Sequence, residues 1–143
     1  MSTTSILIAD DDADDRYLLE TAFFEKGYKE KIEFVENGVE VLNFLSNVKA
    51  GEDHKKYFPK FVLLDLNMPR KNGLEVLKEI KANSLLCKIP VIIFTTSKTP
   101  KDIENAYELG ASCYVAKPQT AEEWSTTLGN LGRFWIECVK VAI

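Results

Sequence analysis

Short apolar runs alternate with longer segments of helical periodicity from one end of the chain to the other. The runs are bounded by polar residues, which is typical of strands buried in a sheet, and they span residues 6–9, 32–35, 61–64, 91–94 and 114–116. The run at 32–35 alternates most clearly between apolar and polar residues, which favours an edge position. The pattern therefore predicts a sheet of five strands.

Each run is followed by a segment whose apolar residues recur every three or four positions, as on one face of a helix. These segments cover residues 13–26, 41–48, 74–80, 100–109 and 121–139. Gly27 and Gly110 stand where C-terminal helix caps belong, and Thr99 and Thr120 stand where N-terminal caps belong. Strict alternation predicts one α/β domain, with a doubly wound, five-stranded parallel sheet and helices on both faces.

Size and charge narrow the function classes. The 143 residues are 45% apolar and 28% charged, which is typical of a globular protein with one core. We expect a single domain over residues 1–143, with no effector domain. A formal net charge of −4 argues against nonspecific nucleic-acid binding. The apolar runs are too short to cross a membrane, and the N-terminus lacks the features of a signal peptide, so a cytoplasmic protein is expected.

The reactive side chains exclude further classes. The cysteines Cys87, Cys113 and Cys138 are widely spaced, which predicts reduced, mostly buried thiols rather than disulfides or a zinc site. The single histidine, His54, lies in a polar connection predicted to be exposed over residues 50–60. A Ser-His-Asp triad or a histidine-based metal site is therefore not expected. Carboxylates remain as the reactive groups.

Candidate reactive residues directly follow four of the five predicted strands, whereas the second strand is followed by Glu36-Asn37-Gly38, an ordinary turn into a helix. The candidates are Asp10, Asp11 and Asp12 after the first strand, Asp65 after the third, Thr95 and Thr96 after the fourth, and Lys117 after the fifth. Ligands of doubly wound sheets bind beyond the carboxyl ends of the strands, where the strand order reverses. The sequence thus predicts that these side chains meet at one edge of the sheet.

Each of these residues also has a purely structural interpretation. Asp12 is a suitable N-terminal helix cap, and Asp14 and Asp15 are predicted to be first-turn residues that favour the helix dipole rather than ligands. Asp65 alone could cap the next element, and Lys117 alone would be a solvated surface lysine. The acidic cluster as a whole is harder to explain in this way.

Taken together, the residues favour a site for a cation and a phosphoryl group. Two carboxylates about 4 Å apart repel each other by about 4 kcal/mol at an effective dielectric constant of about 20, so a cluster favours a bound cation. Oxygen ligands without His or Cys suit Mg²⁺ or Mn²⁺. With the amine of Lys117 and the hydroxyl of Thr95 nearby, Asp65 is the candidate nucleophile toward phosphorus.

The motifs, in this order, resemble the receiver domain of two-component response regulators over nearly the whole chain. The matching residues are Asp10-Asp11, Asp65-Leu66-Asn67-Met68-Pro69, Asn72-Gly73, Thr95, Gly110-Ala111, Tyr114 and Lys117-Pro118. The resemblance implies the flavodoxin-like receiver fold of five strand–helix units. It also implies a signalling domain that takes part only in its own phosphorylation and dephosphorylation, rather than an enzyme that turns over other substrates.

The resemblance implies a phosphoacceptor and a set of metal ligands. Asp65 is similar to the aspartate that a histidine kinase phosphorylates. Asp10, Asp11 and Asp65, with the backbone carbonyl of Asn67, are similar to the residues that bind Mg²⁺ in the family. The same comparison implies phosphorelay signalling that depends on Mg²⁺ or Mn²⁺.

The resemblance also implies a switch. Thr95 would bond a phosphoryl oxygen and shift on phosphorylation, and Tyr114 would turn inward behind it. Plain core packing of Tyr114 is the alternative. Lys117 would pair with the phosphoryl group, and the peptide bond between Lys117 and Pro118 would be cis, which only proline makes inexpensive.

Some positions depart from the family pattern. Asp12 adds a third acid, which either lies beside the metal ligands or caps a helix. Thr96 replaces a usually smaller residue and could narrow the access of phosphate. Gln119 stands where Phe is frequent, and the connection over residues 46–60 is longer than is typical.

The resemblance extends to stand-alone receivers. The sequence Phe94-Thr95-Thr96-Ser97 and the Phe134-Trp135 tail are similar to regulators partnered with bacteriophytochromes. The implied partners are a sensor histidine kinase, such as a bacteriophytochrome, or a histidine phosphotransfer protein, and a downstream protein target. The last segment carries apolar residues that either form a homodimer interface or face the core: Trp124, Phe134, Trp135, Ile136 and Val139.

Two other functions compete with this interpretation. A strand followed by Asp-x-Asp also resembles haloacid-dehalogenase-type phosphohydrolases, with Asp10 as nucleophile and Asp12 as general acid. That alternative leaves Asp65 without a role, and after Lys117 no second acidic pair follows a strand, since only Glu122, Glu123 and Glu137 remain. The third alternative is a degenerate interaction module that never takes a phosphoryl group, which the complete set of site residues disfavours.

Overall fold

Strands and helices alternate strictly in the structure, a computed structural model that describes residues 5–48 and 58–142. The strands are β1 (Ser5–Ala9), β2 (Lys31–Val35), β3 (Phe61–Leu64), β4 (Val91–Thr95) and β5 (Cys113–Ala116). The helices are α1 (Ala13–Glu25), α2 (Gly38–Leu45), α3 (Gly73–Ala82), α4 (Pro100–Glu108) and α5 (Ala121–Gly132). A 3₁₀ turn at Leu86–Lys88 precedes β4, and a π-helical segment, Arg133–Cys138, continues α5.

All five strands are parallel and lie in the order β2-β1-β3-β4-β5. The predicted edge position of β2 is confirmed. The order reverses at β1, because the chain first runs outward to β2 and then crosses back to β3. Ala9 at the end of β1 pairs with Leu64 at the end of β3, so the residues that follow these two strands are neighbours.

The core lies in two layers, one on each face of the sheet. Alternate residues of a strand point to opposite faces, so Leu7 packs with α2 and α3 residues on one face while Ile8 packs with α1 and α5 residues on the other. All four residues of β3 are buried. Full burial of one such aliphatic side chain contributes about 1.5–3 kcal/mol, which explains why the central strands are continuous apolar runs.

Helix caps agree with the sequence at most predicted positions. Gly27 and Gly110 have φ values of 78° and 104°, the left-handed conformation that terminates a helix readily at glycine. The side chain of Thr99 accepts a hydrogen bond from the Asp102 backbone N–H before α4. Thr120 caps α5 in the same way, since its hydroxyl oxygen accepts the Glu123 backbone N–H, and the same hydroxyl donates to the Glu123 carboxylate.

The last helix differs from the prediction of a continuous α-helix toward Val139. The α-helix ends at Gly132, where a Cβ atom would lie 2.4 Å from the Tyr28 ring. The wider π-helical turns follow, closed by a hydrogen bond from the Val139 N–H to the Phe134 carbonyl oxygen at 2.9 Å. In this segment Trp135 packs against Phe61, with ring centroids 6.2 Å apart. Tertiary packing, which periodicity does not reveal, decides this end of the helix.

Two further sequence expectations need correction. Most of the connection predicted over residues 50–60, including His54, lies outside the described residues, but Phe58 and Pro59 at its end are buried rather than exposed. Phe58 is an apolar ring that joins the core beside β3. The three cysteines are free, as predicted, but Cys87 and Cys138 are exposed because they lie in the surface 3₁₀ turn and in the π-helical segment. Within the described part of the chain, the helices are too short or too polar to cross a membrane.

Candidate functional site

The ammonium group of Lys117 stands at the centre of the carboxyl edge of the sheet. Its Nζ atom lies 2.7 Å from Asp10 Oδ2, 2.8 Å from Asp15 Oδ2 and 2.9 Å from Asp65 Oδ2. Asp10 follows β1, Asp65 follows β3 and Lys117 follows β5, so the sheet topology itself brings these three side chains together. An ammonium group has three N–H donors, and all three face carboxylates here.

This cluster is largely hidden from solvent. The side chains of Lys117, Asp10 and Asp65 are only 4%, 2% and 8% exposed. Burial alone lowers the pKa of Lys117, but hydrogen bonds to Asp10, Asp15 and Asp65 outweigh it and raise that pKa above its usual value. Lys117 is therefore charged at neutral pH.

Asp10 shows the opposite balance of the same forces. Burial raises the pKa of its carboxyl group, because hydrogen bonds from Lys117 and from the Asp12 backbone N–H offset the lost hydration only in part. The nearby charge of Asp65 raises it further. Additional positive charge at this edge would therefore stabilise the ionised form of Asp10.

Three acids at this edge could hold a cation. Asp10, Asp11 and Asp65 each offer a carboxylate oxygen, and these oxygens lie within 4.8 Å of one another. Asp11 is exposed while the other two are buried, so the group opens to solvent on one side. All donors are hard carboxylate oxygens, which fit Mg²⁺ or Mn²⁺ and not a metal that prefers sulfur or imidazole.

The loop after β3 is held close to Asp65. The Asn67 backbone N–H donates to Asp65 Oδ1 at 3.3 Å, and the Asn67 side chain is exposed. A Cβ atom at Gly73 would lie 2.3 Å from the Asp65 carbonyl oxygen. Only glycine allows the start of α3 to approach the phosphoacceptor candidate this closely.

The predicted switch residues lie on neighbouring strands, Thr95 as the last residue of β4 and Tyr114 as the second residue of β5. Thr95 is fully buried as the last residue of β4, and its carbonyl oxygen accepts the Lys117 backbone N–H at 2.7 Å. Tyr114 is partly buried, and its hydroxyl donates to the Ser97 carbonyl oxygen at 2.9 Å. The Ser97 N–H in turn faces Thr95 Oγ1 at 3.5 Å. Thr96, between them, is exposed.

Asp12 serves as a helix cap. Its Oδ1 atom accepts hydrogen bonds from the Asp14 and Asp15 backbone N–H groups at 2.8 and 3.2 Å, and its side chain is exposed. Only its backbone N–H contacts the site, by donating to Asp10 Oδ1 at 2.9 Å. These contacts agree with the capping interpretation and do not favour the general-acid role that the phosphohydrolase alternative requires.

The peptide bond between Lys117 and Pro118 is trans, which corrects the prediction of a cis bond. The trans form of a bond before proline is favoured by about 0.5–1 kcal/mol. Both flanks are also tied in place, since the Lys117 N–H bonds to Thr95 and the Pro118 carbonyl oxygen accepts the Trp124 indole N–H at 3.0 Å.

Asp15 is one of two residues in contact with the site that the sequence does not identify. The helix dipole predicts a place for it in the first turn of α1, and it lies there, but its carboxylate also reaches Lys117. Helical side chains tilt toward the N-terminus of the helix, so an acid in the first turn after β1 points back toward the sheet edge. That direction is the signal that could have identified it.

Arg16 was also missed. Its guanidinium donates to the Asp10 carbonyl oxygen at 2.8 Å and lies 3.5 Å from a Glu36 carboxylate oxygen. It thereby connects the end of β1 to the turn after β2. It orients the backbone of Asp10 and does not contact the three carboxylate oxygens around Lys117.

The apolar tail is divided between core and surface. Trp124 is 7% exposed, and Trp135 and Ile136 pack against the core layer that contains α1 and α5. Phe134 is 56% exposed. Most of the tail residues therefore face the core, and a homodimer stays a prediction.

The site combines a buried phosphoacceptor candidate, a paired lysine and an acidic group suited to a divalent cation. These features lie at the switch point of a five-stranded parallel sheet, and together they define a class of signalling domain. The family model described as the response regulator receiver domain matches residues 6–128. The chain belongs to this family.

Particular relatives include a response regulator of a cyanobacterium and a phytochrome response regulator. Response regulator Rcp1 of Synechocystis sp. is 33% identical over 136 residues, which cover 95% of this chain and 91% of Rcp1. The crystal structure of the Mn²⁺-bound form of Rcp1 superposes with a TM-score of 0.87 at 31% identity, over 98% of this chain and 99% of that one. The phosphorylated cyanobacterial phytochrome response regulator RcpA gives a TM-score of 0.89 at 29% identity, over 99% and 100% of the two chains. The predicted fold and family are confirmed.

Proposed function

We propose that this protein is a phosphorelay response regulator that accepts a phosphoryl group on Asp65 and then changes a surface that contacts another protein. The observation that carries the proposal is the arrangement around Asp65. Its carboxylate is buried, shares the Lys117 ammonium with Asp10, and belongs to the group of three acids whose oxygens lie within 4.8 Å. A nucleophile, a cation site and a fixed positive charge thus converge.

The transfer is a displacement at phosphorus. A carboxylate oxygen of Asp65 forms a bond to phosphorus while the bond from phosphorus to the donor nitrogen of a phosphohistidine breaks. The electron pair of that bond leaves with the imidazole nitrogen, which takes up a proton from solvent. Lys117 stabilises the negative charge on the transferring oxygens from a position where solvent is largely excluded.

A divalent cation is part of the proposal. Asp10, Asp11 and Asp65, together with the backbone carbonyl of Asn67, would hold Mg²⁺ or Mn²⁺, and the bound ion would offset negative charge on the phosphoryl oxygens. The hard oxygen donors of this chain support this assignment, as does the similarity to Rcp1, whose structure is known with Mn²⁺ bound.

The response to phosphorylation is proposed to pass through Thr95 and Tyr114. Thr95 would bond a phosphoryl oxygen through its hydroxyl, since it ends the strand between β3 and β5. The hydrogen bonds that join Thr95 and Tyr114 to Ser97 support movement of this loop as one unit. Thr96 is exposed and lies between Thr95 and Ser97, where it would narrow the access of phosphate to the site.

The proposed donor is a sensor histidine kinase of the phytochrome type, or a histidine phosphotransfer protein, in the cytoplasm. The similarity to RcpA, a phytochrome response regulator, supports the phytochrome type. The output is proposed to be contact with a downstream protein target, and a homodimer through the exposed Phe134 is one form that this output could take.

The test is phosphorylation with acetyl phosphate or phosphoramidate and Mg²⁺, followed by intact-protein mass spectrometry. We expect one phosphoryl group per chain, slow loss of that group, and no label on Asp65→Asn. Circular dichroism should show that Asp65→Asn is folded. The matched control is Asp14→Asn, which removes an exposed acid and should label normally.

Three outcomes would contradict the proposal. Label that moves to Asp10 would show that the nucleophile is wrongly assigned. Continuous release of phosphate from many substrate molecules per chain would favour the phosphohydrolase alternative, and a wild-type protein that takes no label would favour a degenerate module.

A further inference from the structure

The third carboxylate on Lys117 belongs to neither the cation site nor the phosphoacceptor. Asp15 lies in the first turn of α1, not at a strand end, and it is outside the group of three acids suited to a cation. Its side chain is 19% exposed, against 2% for Asp10 and 8% for Asp65. Of the three partners of Lys117, it is therefore the most exposed to solvent.

Lys117 has no N–H left for a phosphoryl oxygen while all three carboxylates are bound. Its three donors are taken by oxygens at 2.7, 2.8 and 2.9 Å. When a phosphoryl group joins Asp65, one of these contacts must be replaced. Asp10 is retained by the cation site and Asp65 carries the new group, which leaves Asp15.

We propose that Asp15 is a positioning residue that holds the Lys117 ammonium in the unphosphorylated protein and releases it to the phosphoryl group. The inference rests on the proposed function of the site. Asp15 keeps the ammonium directed toward the sheet edge before the phosphoryl group arrives, and it then competes with that group for the same N–H. Its negative charge also favours a cation nearby and disfavours an added anion.

These two effects have opposite signs, which separates them from simple damage to the fold. Removing the charge of Asp15 should weaken the binding of Mg²⁺ and strengthen the binding of a phosphoryl analogue. An interaction of about 1 kcal/mol between the Asp15 charge and a nearby ligand charge corresponds to roughly fivefold in a dissociation constant, and we expect a change of that size for each ligand. A variant that is merely less well folded would bind both ligands more weakly.

The test compares Asp15→Asn with wild type by isothermal titration calorimetry. Mg²⁺ alone is titrated first, and beryllofluoride is then titrated at saturating Mg²⁺. The expected result is a roughly fivefold weaker Mg²⁺ affinity with a roughly fivefold tighter beryllofluoride affinity. Asp15→Glu, which keeps the charge, should return both affinities toward wild type.

Asp14→Asn is the matched control. It removes the same charge from the same helical turn, but Asp14 is exposed and has no ion pair within residues 5–48 and 58–142. Equal shifts in Asp14→Asn would overturn the inference, because net charge alone would then explain them. Unchanged affinities in Asp15→Asn, or a loss of both, would overturn it too.

If wild type binds no beryllofluoride, the proposed function itself fails. If wild type binds beryllofluoride and the opposed shifts do not appear, only the role of Asp15 is refuted.

Discussion

The carboxyl edge of the sheet and the C-terminal tail both bury side chains that are costly to place in a protein interior. The edge buries charged groups, and the tail buries a large aromatic ring. At the edge, Asp10 and Asp65 are buried because the Lys117 ammonium, which is buried with them, supplies the opposite charge to both carboxylates. In the tail, Trp135 is partly buried because a glycine at the end of α5 and a π-helical segment bring its ring to Phe61. The edge depends on charge balance, whereas the tail depends on shape.

The difference determines how each region should fail. Removal of the Lys117 charge leaves the carboxylates at the edge buried without compensation, and a bound cation can replace that positive charge. Addition of one methyl group in the tail creates a steric conflict that no ligand relieves. The following predictions run from the largest expected effect to the smallest.

Lys117→Met should destabilise the protein by about 3–5 kcal/mol, because it leaves buried carboxylates without their common partner. Urea denaturation measures the loss, and Mg²⁺ should recover part of it by offsetting the same carboxylates. Lys98→Met, at an exposed position nearby, is the control and should change the free energy of unfolding by less than about 0.5 kcal/mol. Equal effects of the two variants would contradict the central role of Lys117.

Mg²⁺ should raise the melting temperature of wild type, because an ion that binds only the folded state stabilises it. The gain is about 2.7 kcal/mol at a concentration one hundred times the dissociation constant. Asp11→Ala should abolish the shift in a thermal scan, whereas Asp14→Ala should retain it. A wild-type protein whose melting temperature ignores Mg²⁺ would count against the cation site.

Gly132→Ala should cost about 1–3 kcal/mol, since the new Cβ atom would lie 2.4 Å from the Tyr28 ring. Gly129→Ala is the matched control in the same helix, where the Cβ atom meets only the end of the flexible Lys26 side chain at 3.1 Å. That variant should stabilise α5 by up to about 1 kcal/mol. Neither should alter phosphorylation of Asp65, and a large change in labelling would show that tail and edge are coupled.

The smallest expected effect is the change in stability at high pH that accompanies the titration of Tyr28. Burial, with a hydrogen bond from its hydroxyl to Glu137 Oε2 at 2.6 Å, raises the pKa of Tyr28 to about 12. The stabilisation is complete below the unfolded pKa of about 10 and is lost as the pH rises from there through the folded value. Ultraviolet titration should detect a tyrosine that deprotonates near pH 12, and Glu137→Gln should lower the pKa of Tyr28. Glu122→Gln, an exposed acid at the other end of α5, should leave the titration unchanged.

The sequence was sufficient to predict the edge because topology determines it. Strands that run parallel must end together, so the residues after β1, β3 and β5 meet whatever the details of packing. Asp10, Asp65 and Lys117 follow these strands directly and were found in this way. The same rule does not identify Asp15, because this residue lies in the first turn of α1 and does not directly follow a strand.

The tail could not be predicted, because its geometry depends on contacts between distant parts of the chain. The change to a π-helix follows Gly132, and the close approach of Tyr28 there is visible only in three dimensions. The burial of Phe58 has the same origin, since a polar neighbourhood in the sequence does not reveal that its ring enters the core. By contrast, the capping box of Asn72 and Glu75 was present in the sequence as a local motif.

The surroundings of Trp124 give the molecule an intrinsic optical probe. Its indole N–H donates to the carbonyl oxygen of Pro118, the residue after Lys117. Its ring packs edge-on against Phe94, the residue before Thr95, with ring centroids 5.3 Å apart. The emission of this indole is thus sensitive to both strand ends at once. With Trp135 replaced by Phe, the occupancy of the acidic edge could be followed in real time without an attached dye.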